Sequence, residues 1–183
     1  MWQKKSLPPP VDYKIINLRS ARFDSSLHCI DNIRYYNLEK PIIYILNVGE
    51  TLSCYGNNYG WVCIQDLPND DVRYLNSLLF QLVELYGLDN GRMHYLRKSY
   101  DDGYQSNEFF ALDRDSKLFN FAGVPVMKTL RLLKTFDGKV ALSIKGFRVI
   151  DDFHINLNVC VHQIKIEDEQ DVYNTQIEDC IFE

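Results

Sequence analysis

The chain has 183 residues, 46% of them hydrophobic and 25% charged, which is the composition of an ordinary globular domain. It contains 12 Tyr and 10 Phe, and aromatic side chains favour strands and binding faces. No apolar run approaches the roughly 20 residues of a membrane helix, and no signal peptide is expected at the start. The five cysteines lack Cys-x-x-Cys spacing, which indicates reduced thiols and an intracellular protein of the cytoplasm or host nucleus.

The net charge of -5 conceals an uneven distribution of charge along the chain. After Lys165 there is no Lys or Arg, and seven acids follow: Glu167, Asp168, Glu169, Asp171, Glu178, Asp179 and Glu183. Removing those seven negative charges from the total leaves the body at about +2. The sequence therefore predicts a mildly basic body that carries an acidic tail.

The N-terminal half predicts an arm and several strands. A flexible arm that ends in prolines is expected over residues 1–10, and a first strand follows over residues 11–18. The β-branched run at residues 42–48 predicts a buried strand. Two short strands, over residues 51–55 and 60–65, flank a glycine-containing loop and predict a hairpin.

One segment in the middle of the chain has a clear helical pattern. Residues 68–71 supply a cap and acidic first-turn residues, and Gly87 ends the segment. Apolar residues recur at helical spacing between them: Leu75, Leu78, Leu79, Leu82, Leu85 and Tyr86. Residues 88–125 give no clear element apart from an expected loop at residues 101–107.

The rest of the body predicts three consecutive strands, over residues 126–136, 139–150 and 153–166. Turns are expected between them at Asp137-Gly138 and at residues 151–152. In the last strand the apolar phase slips after Val161, which indicates a bulge. In the strand before it the phase changes across Gly146, so either a bulge lies there or residues 145 and 147 both point outward.

Several short strands, strong bends and a single mid-chain helix favour a mainly β protein, an OB-like small barrel, over a sandwich. The predicted organisation is an arm of residues 1–10, an OB-like β-barrel domain of residues 11–166 and a disordered acidic tail of residues 167–183.

Two stretches of the body combine cations with aromatic side chains, residues 91–100 and residues 128–148. Phosphates need cations along a groove, and unpaired bases stack on flat side chains. With Trp61 as a further stacking candidate, the predicted nucleic-acid-binding residues are Arg92, Tyr95, Arg97, Lys98, Lys128, Arg131, Lys134, Lys145, Phe147, Arg148 and Trp61. The alternative is that the cations form an ordinary solvated face and the aromatic residues, Trp61 included, belong to the core.

The acidic tail, which closes with Glu178, Asp179 and Phe182 near its end, resembles that of bacterial and phage single-stranded-DNA-binding proteins. The two last predicted strands are also similar to the closing strands of viral OB-fold proteins. The resemblance implies single-stranded DNA binding in replication, largely independent of sequence. It also implies that Glu178, Asp179 and Phe182 recruit replication proteins and compete with DNA for the groove. Phe182 is not terminal and no Pro precedes it, which favours a phage or eukaryotic-virus protein over a bacterial one.

Other kinds of chemistry have less support in the sequence. Cys160 with His162, and His28 with Cys29, lack the spacing of a four-ligand zinc site, so no metal or other cofactor is expected. The paired carboxylates fall at predicted turns or at a helix start, and no catalytic motif is present, so we expect no enzyme. The alternative is a viral protein–protein interaction, structural or transcription accessory module without nucleic-acid binding, and the third hypothesis is a small metal-dependent nuclease. RNA in place of DNA, and oligomer formation, stay open.

Overall fold

The computed structural model describes residues 18–56, 60–88, 92–94, 96, 107–126, 135–151 and 154–167. The strands found there are β1 (His28–Ile30), β2 (Ile33–Ile45), β3 (Leu52–Gly56), β4 (Trp61–Ile64), β5 (Arg92–Met93), β6 (Glu108–Phe119), β7 (Pro125–Val126), β8 (Phe136–Ile150) and β9 (His154–Ile166). The α-helix is α1 (Asn69–Tyr86), and a short 3-10 helix (Leu46–Gly49) follows β2. The predicted arm, most of the predicted first strand, most of the strand expected over residues 126–136 and the acidic tail beyond Glu167 lie outside the described residues.

The strands form one hydrogen-bonded sheet in the order β1-β2-β8-β3-β4-β6-β9-β5, with β7 paired to β6. An additional pairing between β8 and β9 closes a ring of five strands, β3-β4-β6-β9-β8. Within this ring β3, β4 and β6 are antiparallel neighbours, and β8 returns to lie beside β3. β9 completes the ring by pairing in parallel with β6.

The OB type is a five-stranded, partly open Greek-key barrel. A ring of five strands, together with one α-helix in the described chain, therefore confirms the mainly β, barrel-like fold that was predicted from the sequence.

The chain divides into two compact units. The helix unit comprises Met1–Ile42, Asn69–Lys98 and Ile144–Val159, and the ring unit comprises Ile43–Pro68, Ser99–Ser143 and Cys160–Glu183. The buried apolar side chains of the helix unit include Tyr36, Leu38, Val72, Leu75, Leu78, Leu79, Leu82, Val83, Phe147, Val149 and Ile155. Those of the ring unit include Leu52, Cys54, Val62, Ile64, Phe110, Leu118, Phe136, Val140, Leu142, Val161, Ile164 and Ile166.

The predicted helix is confirmed as α1, whose apolar stripe is buried at Leu75, Leu78, Leu79 and Leu82. Leu85 and Tyr86, which belong to the same predicted stripe, are exposed. Acidic side chains in the first turn stabilise the helix, because they lie at the positive end of its dipole. The helix ends at Gly87, which has a φ of 89° and donates its N–H to the Val83 carbonyl. Glycine is the residue that most readily adopts this conformation.

The predicted hairpin is confirmed as β3 and β4, which pair from Cys54↔Ile64 to Gly56↔Val62. Of the strand predicted over residues 42–48, residues 42–45 are the end of the longer strand β2, and residues 46–48 belong to a short 3-10 helix instead. The expectation that this segment is buried is wrong, because Ile43 and Ile45 are 47% and 53% exposed. An apolar run identifies a strand, but burial also requires another layer on each face.

The hairpin turn expected at Asp137-Gly138 is also wrong. Both residues lie inside β8, where they pair with Ser53 and Leu52 of β3. The Ser53 hydroxyl donates to the Asp137 carboxylate at 3.2 Å, so the acid has a cross-strand partner. A Cβ on Gly138 would lie 3.2 Å from the Lys165 carbonyl oxygen. Glycine therefore fits this position because space is short, and not because the chain turns.

The change of phase in β8 lies at Gly146. Buried residues alternate up to Ile144 and resume at Phe147 and Val149, which is the change of face that a bulge produces. The alternative, with residues 145 and 147 both pointing outward, is excluded by the complete burial of Phe147.

The slip of phase in β9 coincides with an interruption of its pairing with β6. The pairs Leu112↔Val161 and Lys117↔Gln163 leave four residues of β6 opposite one residue of β9. The Ser116 hydroxyl donates to the Val161 carbonyl and bridges this gap. The bulge expected from the sequence of β9 is thus produced by extra residues in the strand beside it.

Candidate nucleic-acid interface

Three aromatic side chains lie on one face of the ring strands β3, β4 and β6. The register pairs Tyr55 with Cys63 and Cys63 with Phe109, so these residues form one row across the three strands. Trp61 is two residues from Cys63 and therefore lies on the same face, opposite Ala111. We call Tyr55, Trp61 and Phe109 the aromatic row.

The aromatic row is accessible, whereas the other face of the same strands is core. Trp61 is 39% exposed and Phe109 is 50% exposed. The rings of Tyr55 and Phe109 meet edge to face, with centroids 6.3 Å apart. On the opposite face Val62 and Ile64 are fully buried. The row is therefore a set of flat, apolar surfaces held in place by well-packed strands.

Cys63 lies between Tyr55 and Phe109 in the row but is only 1% exposed. Burial raises the pKa of the Cys63 thiol, while a hydrogen bond with Tyr55 acts in the opposite direction. The same hydrogen bond raises the pKa of Tyr55. A bond that favours the protonated phenol and the ionised thiol is one that the Tyr55 hydroxyl donates to the Cys63 sulfur.

The electrostatics of the aromatic row are not those of a phosphate site. The charge of Glu108 contributes to the raised pKa of Cys63, so a carboxylate lies near one end of the row. The three aromatic side chains themselves supply stacking surface and no positive charge. Contacts with phosphate would therefore have to come from other parts of the chain.

The predicted site residues fall into three groups. Trp61 belongs to the aromatic row of the ring unit, whereas Arg92, Lys145, Phe147 and Arg148 belong to the helix unit. The remaining ones lie outside the described residues: Tyr95, Arg97, Lys98, Lys128, Arg131, Lys134 and the tail residues Glu178, Asp179 and Phe182.

The prediction that Phe147 stacks on bases is wrong, because its side chain has no exposed surface. It stacks on Tyr36 with ring centroids 4.9 Å apart and an angle of 13° between the rings. Phe23 and Tyr86 approach it edge to face, at 5.8 and 5.9 Å. Phe147 is therefore the centre of an aromatic core cluster in the helix unit. The basic residues beside it in sequence misled the prediction, because charge on neighbours says nothing about the face on which a side chain lies.

Arg148 and Arg92 flank the same strand, β9. Arg148 is half-buried and donates through Nε to the side-chain oxygen of Asn156 at 2.9 Å. Arg92 of β5 pairs with His154 of β9 in a parallel register. Arg92 and Arg148, which are far apart in the sequence, thus belong to the strands on either side of β9.

The segment that follows β5 is held by a buried amide of the helix. Asn76 is 3% exposed, and its side chain both accepts from the Leu96 N–H at 2.7 Å and donates to the Leu96 carbonyl at 3.1 Å. This pair of bonds imitates a strand pairing. Asn76 therefore holds the backbone of Leu96.

At the end of β9 the first acid of the acidic tail meets two lysines. The Glu167 carboxylate lies 3.7 Å from Lys139 Nζ and 3.8 Å from Lys165 Nζ. The Glu167 N–H also donates to the Asp137 carbonyl at 2.8 Å. Contact between the acidic tail and basic residues of the body thus begins at the first tail residue, whose largely buried carboxylate lies beside two partly exposed lysines.

The described residues contain no group of three or more His, Cys, Asp or Glu side chains that could hold a metal ion. Cys160, considered with His162 as a ligand pair, is buried and donates to the Asp113 carboxylate at 3.1 Å. His28 contacts the Ser26 hydroxyl at 3.2 Å. Of the helices in the described part of the chain, none has the length and apolar character to cross a membrane.

Tyr55 and Phe109 are not among the site residues predicted from the sequence. Tyr55 lies in a predicted strand, and its alternation with the buried residues Leu52 and Cys54 could have placed it on the outward face. Phe109 had no such signal, because the strand that carries it was not predicted. Their proximity to Trp61 arises only from the pairing of β3, β4 and β6.

The fold and the aromatic row together define a mainly β, barrel-like protein with an exposed aromatic face on three adjacent ring strands. Comparison with protein-family models, with curated proteins and with solved structures finds no match to this chain. The function must therefore be argued from the residues of the chain itself.

Proposed function

We propose that this protein binds single-stranded nucleic acid, DNA in the first instance, by stacking bases on the aromatic row without reading their sequence. The observation that carries this proposal is the exposure of Trp61 and Phe109 on one face of three ring strands. OB-type barrels bind oligonucleotides on a face of their strands and on adjacent loops. Stacking is tolerant of sequence, because every base has a flat face.

Charge supports the same proposal. The body is about +2 once the seven tail acids are removed from the total, and an unpaired strand needs cations along its phosphates. Lys128, Arg131 and Lys134 remain the proposed phosphate contacts on sequence grounds. The acidic tail is proposed to compete for those cations and to recruit replication proteins through Glu178, Asp179 and Phe182.

The experiment that tests the proposal measures the affinity of the purified chain for labelled oligo-dT and for duplex DNA at two salt concentrations. We expect preference for the single strand and weaker binding at the higher salt. Trp61→Ala and Phe109→Ala should each weaken oligo-dT binding by about 5- to 150-fold, since a base–aromatic stack contributes roughly 1–3 kcal/mol.

Phe121→Ala provides the matched control. Phe121 is 51% exposed and belongs to the ring unit, but it lies between β6 and β7, beyond the end of β6 opposite to Phe109. Its replacement should leave the affinity for oligo-dT unchanged. Equal effects of the Phe109 and Phe121 variants, or no binding by the wild-type chain at low salt, would refute base stacking on the row.

A protein–protein interaction module is the second candidate. Ile43 and Ile45 at the end of β2 are about half exposed, and Val48 just after them is 94% exposed. Val48 and the preceding Asn47 have positive φ, which is uncommon for a β-branched residue and occurs mostly where the surroundings impose it. If oligo-dT binding is absent while Val48→Asp abolishes self-association in sedimentation velocity, this second function replaces the first.

A further inference from the structure

The helix unit has a regular row of polar side chains along β9. His154, Asn156 and Asn158 alternate with Ile155, which is buried, and with Leu157, which is partly exposed, so the three polar side chains lie on one face of the strand. Side chains two residues apart on a strand are separated by about 6.8 Å. The three polar residues therefore present contacts at even intervals along the strand.

Each of these three side chains is met by a polar partner from a different part of the chain. The His154 ring contacts the His94 ring, with centroids 4.7 Å apart. The Asn156 oxygen accepts from Arg148 Nε at 2.9 Å, and Asn158 donates to the Asn37 oxygen at 3.1 Å. We call these six residues the polar strip.

The chemistry of the polar strip is that of a surface for anions. It contains one guanidinium, two imidazoles and three amides, and none of its six side chains is a carboxylate. The bond to Asn156 holds the Arg148 guanidinium through Nε, and a guanidinium fixed in this way suits the geometry of phosphate oxygens. Asparagine and histidine side chains add hydrogen-bond donors of the kind that contact phosphate and sugar in nucleic-acid complexes.

We propose that the polar strip contacts the phosphate–sugar backbone of a nucleic-acid strand, with Arg148 as its cation and Asn156 as the residue that positions it. The inference rests on the proposed function. It assigns contacts with the phosphate–sugar backbone to the polar strip, whereas the bases of the bound strand are proposed to stack on the aromatic row. Composition favours a nucleic-acid strand over a protein partner, since the six residues offer hydrogen bonds and positive charge but no apolar side chain.

The test uses the full chain and labelled oligo-dT, with affinity measured over a series of salt concentrations. Each phosphate contact with a single strand contributes roughly 0.7 to the slope of log affinity against log salt. Arg148→Gln should reduce that slope by about this amount. Asn156→Ala should weaken binding by about 2- to 10-fold and leave the slope unchanged, because it removes one hydrogen bond and no charge.

Arg73→Gln is the control for loss of a single positive charge. Arg73 lies on α1 and is partly exposed, with Asp70 at 3.9 Å. The Arg73→Gln variant should leave the slope of log affinity against log salt unchanged if the polar strip is a specific contact. An equal change of slope in the Arg73 and Arg148 variants would show binding to overall charge and overturn the inference. Unfolding by urea, followed by circular dichroism, checks that the variants fold.

The outcomes also separate this inference from the proposed function. If the Trp61 and Phe109 variants lose affinity while Arg148→Gln leaves the slope unchanged, the aromatic row stands and the polar strip is refuted as a phosphate contact. If only the Arg148 variant has an effect, the polar strip stands and the aromatic row does not. No binding by the wild-type chain at low salt overturns both.

Discussion

At the scale of single residues, Gly146 shows how closely two strands approach one another. Its φ is 141°, and a Cβ built on it would lie 2.0 Å from the Tyr36 carbonyl oxygen and 3.1 Å from the Asn37 Cα. Both are backbone atoms that cannot move away at small cost. Glycine at this position lets β8 change its buried face so that the ring of Phe147 enters the core.

Gly146→Ala should therefore lower the free energy of unfolding by about 3 kcal/mol or more, through backbone strain and overpacking together. Gly87→Ala is the matched control, because Gly87 also has positive φ but no atom lies within 4 Å of its built Cβ. That variant should lose only about 1–2 kcal/mol. Urea unfolding measures both, and equal losses would contradict the steric account of Gly146.

At the scale of elements, those with local sequence signals could be predicted, whereas an irregular strand could not. The helix and the β3–β4 hairpin were predictable, since capping residues, helical spacing and a glycine-rich loop act within a few residues of one another. β6 was missed because its bulge places Asp113, Arg114 and Asp115 inside the strand and breaks the alternation. Asp113 accepts from the backbone N–H groups of residues 115 and 116, which stabilises an irregularity that a periodic pattern does not reveal.

The β3–β4 hairpin also carries a buried thiol with a large change of acidity. Burial raises the pKa of Cys54 to about 12 from an ordinary 9.0, and the charges of Asp137 and Cys63 act in the same direction. Because the folded state holds this proton more tightly, the stabilisation is complete below about pH 9 and is lost as the pH rises towards 12. The free energy of unfolding should fall by about 1 kcal/mol between pH 9 and pH 10.

Cys54→Ala should make the dependence of stability on pH shallower in this range, with a residual slope from the raised pKa values of Tyr55 and Cys63. Cys29→Ala is the control, because Cys29 is exposed and its replacement should leave the slope as it is. Urea unfolding from pH 8 to 10.5 measures these slopes. A slope in the Cys54 variant equal to that of the wild-type chain would contradict a buried neutral thiol.

At the scale of the whole molecule, charge is divided between the body and the acidic tail. The tail beyond Glu167 contains six acids and no Lys or Arg. Glu167 itself lies between Lys139 and Lys165 at the end of β9. If the remaining tail acids compete with nucleic acid for cations of the body, removing their charge should strengthen binding.

Deletion of residues 168–183 should tighten oligo-dT binding several-fold at low salt, and the difference should shrink as salt screens the charges. A variant with those six acids replaced by their amides separates charge from chain length and should bind like the deletion. Unchanged affinity in both variants would show that the acidic tail does not compete for the binding surface.

The sequence by itself determined the mainly β character, the position of α1 and the separation of a basic body from an acidic tail. These follow from local spacing and from composition, which need no knowledge of distant contacts. Only the tertiary structure decided that Phe147 is core, that Asp137 and Gly138 lie within a strand, and that Tyr55 and Phe109 stand beside Trp61. Each of these depends on which strands are neighbours, and strand neighbours in this ring come from residues as far apart as Ser53 and Asp137. The aromatic row exists because β3, β4 and β6 place their outward side chains in one register.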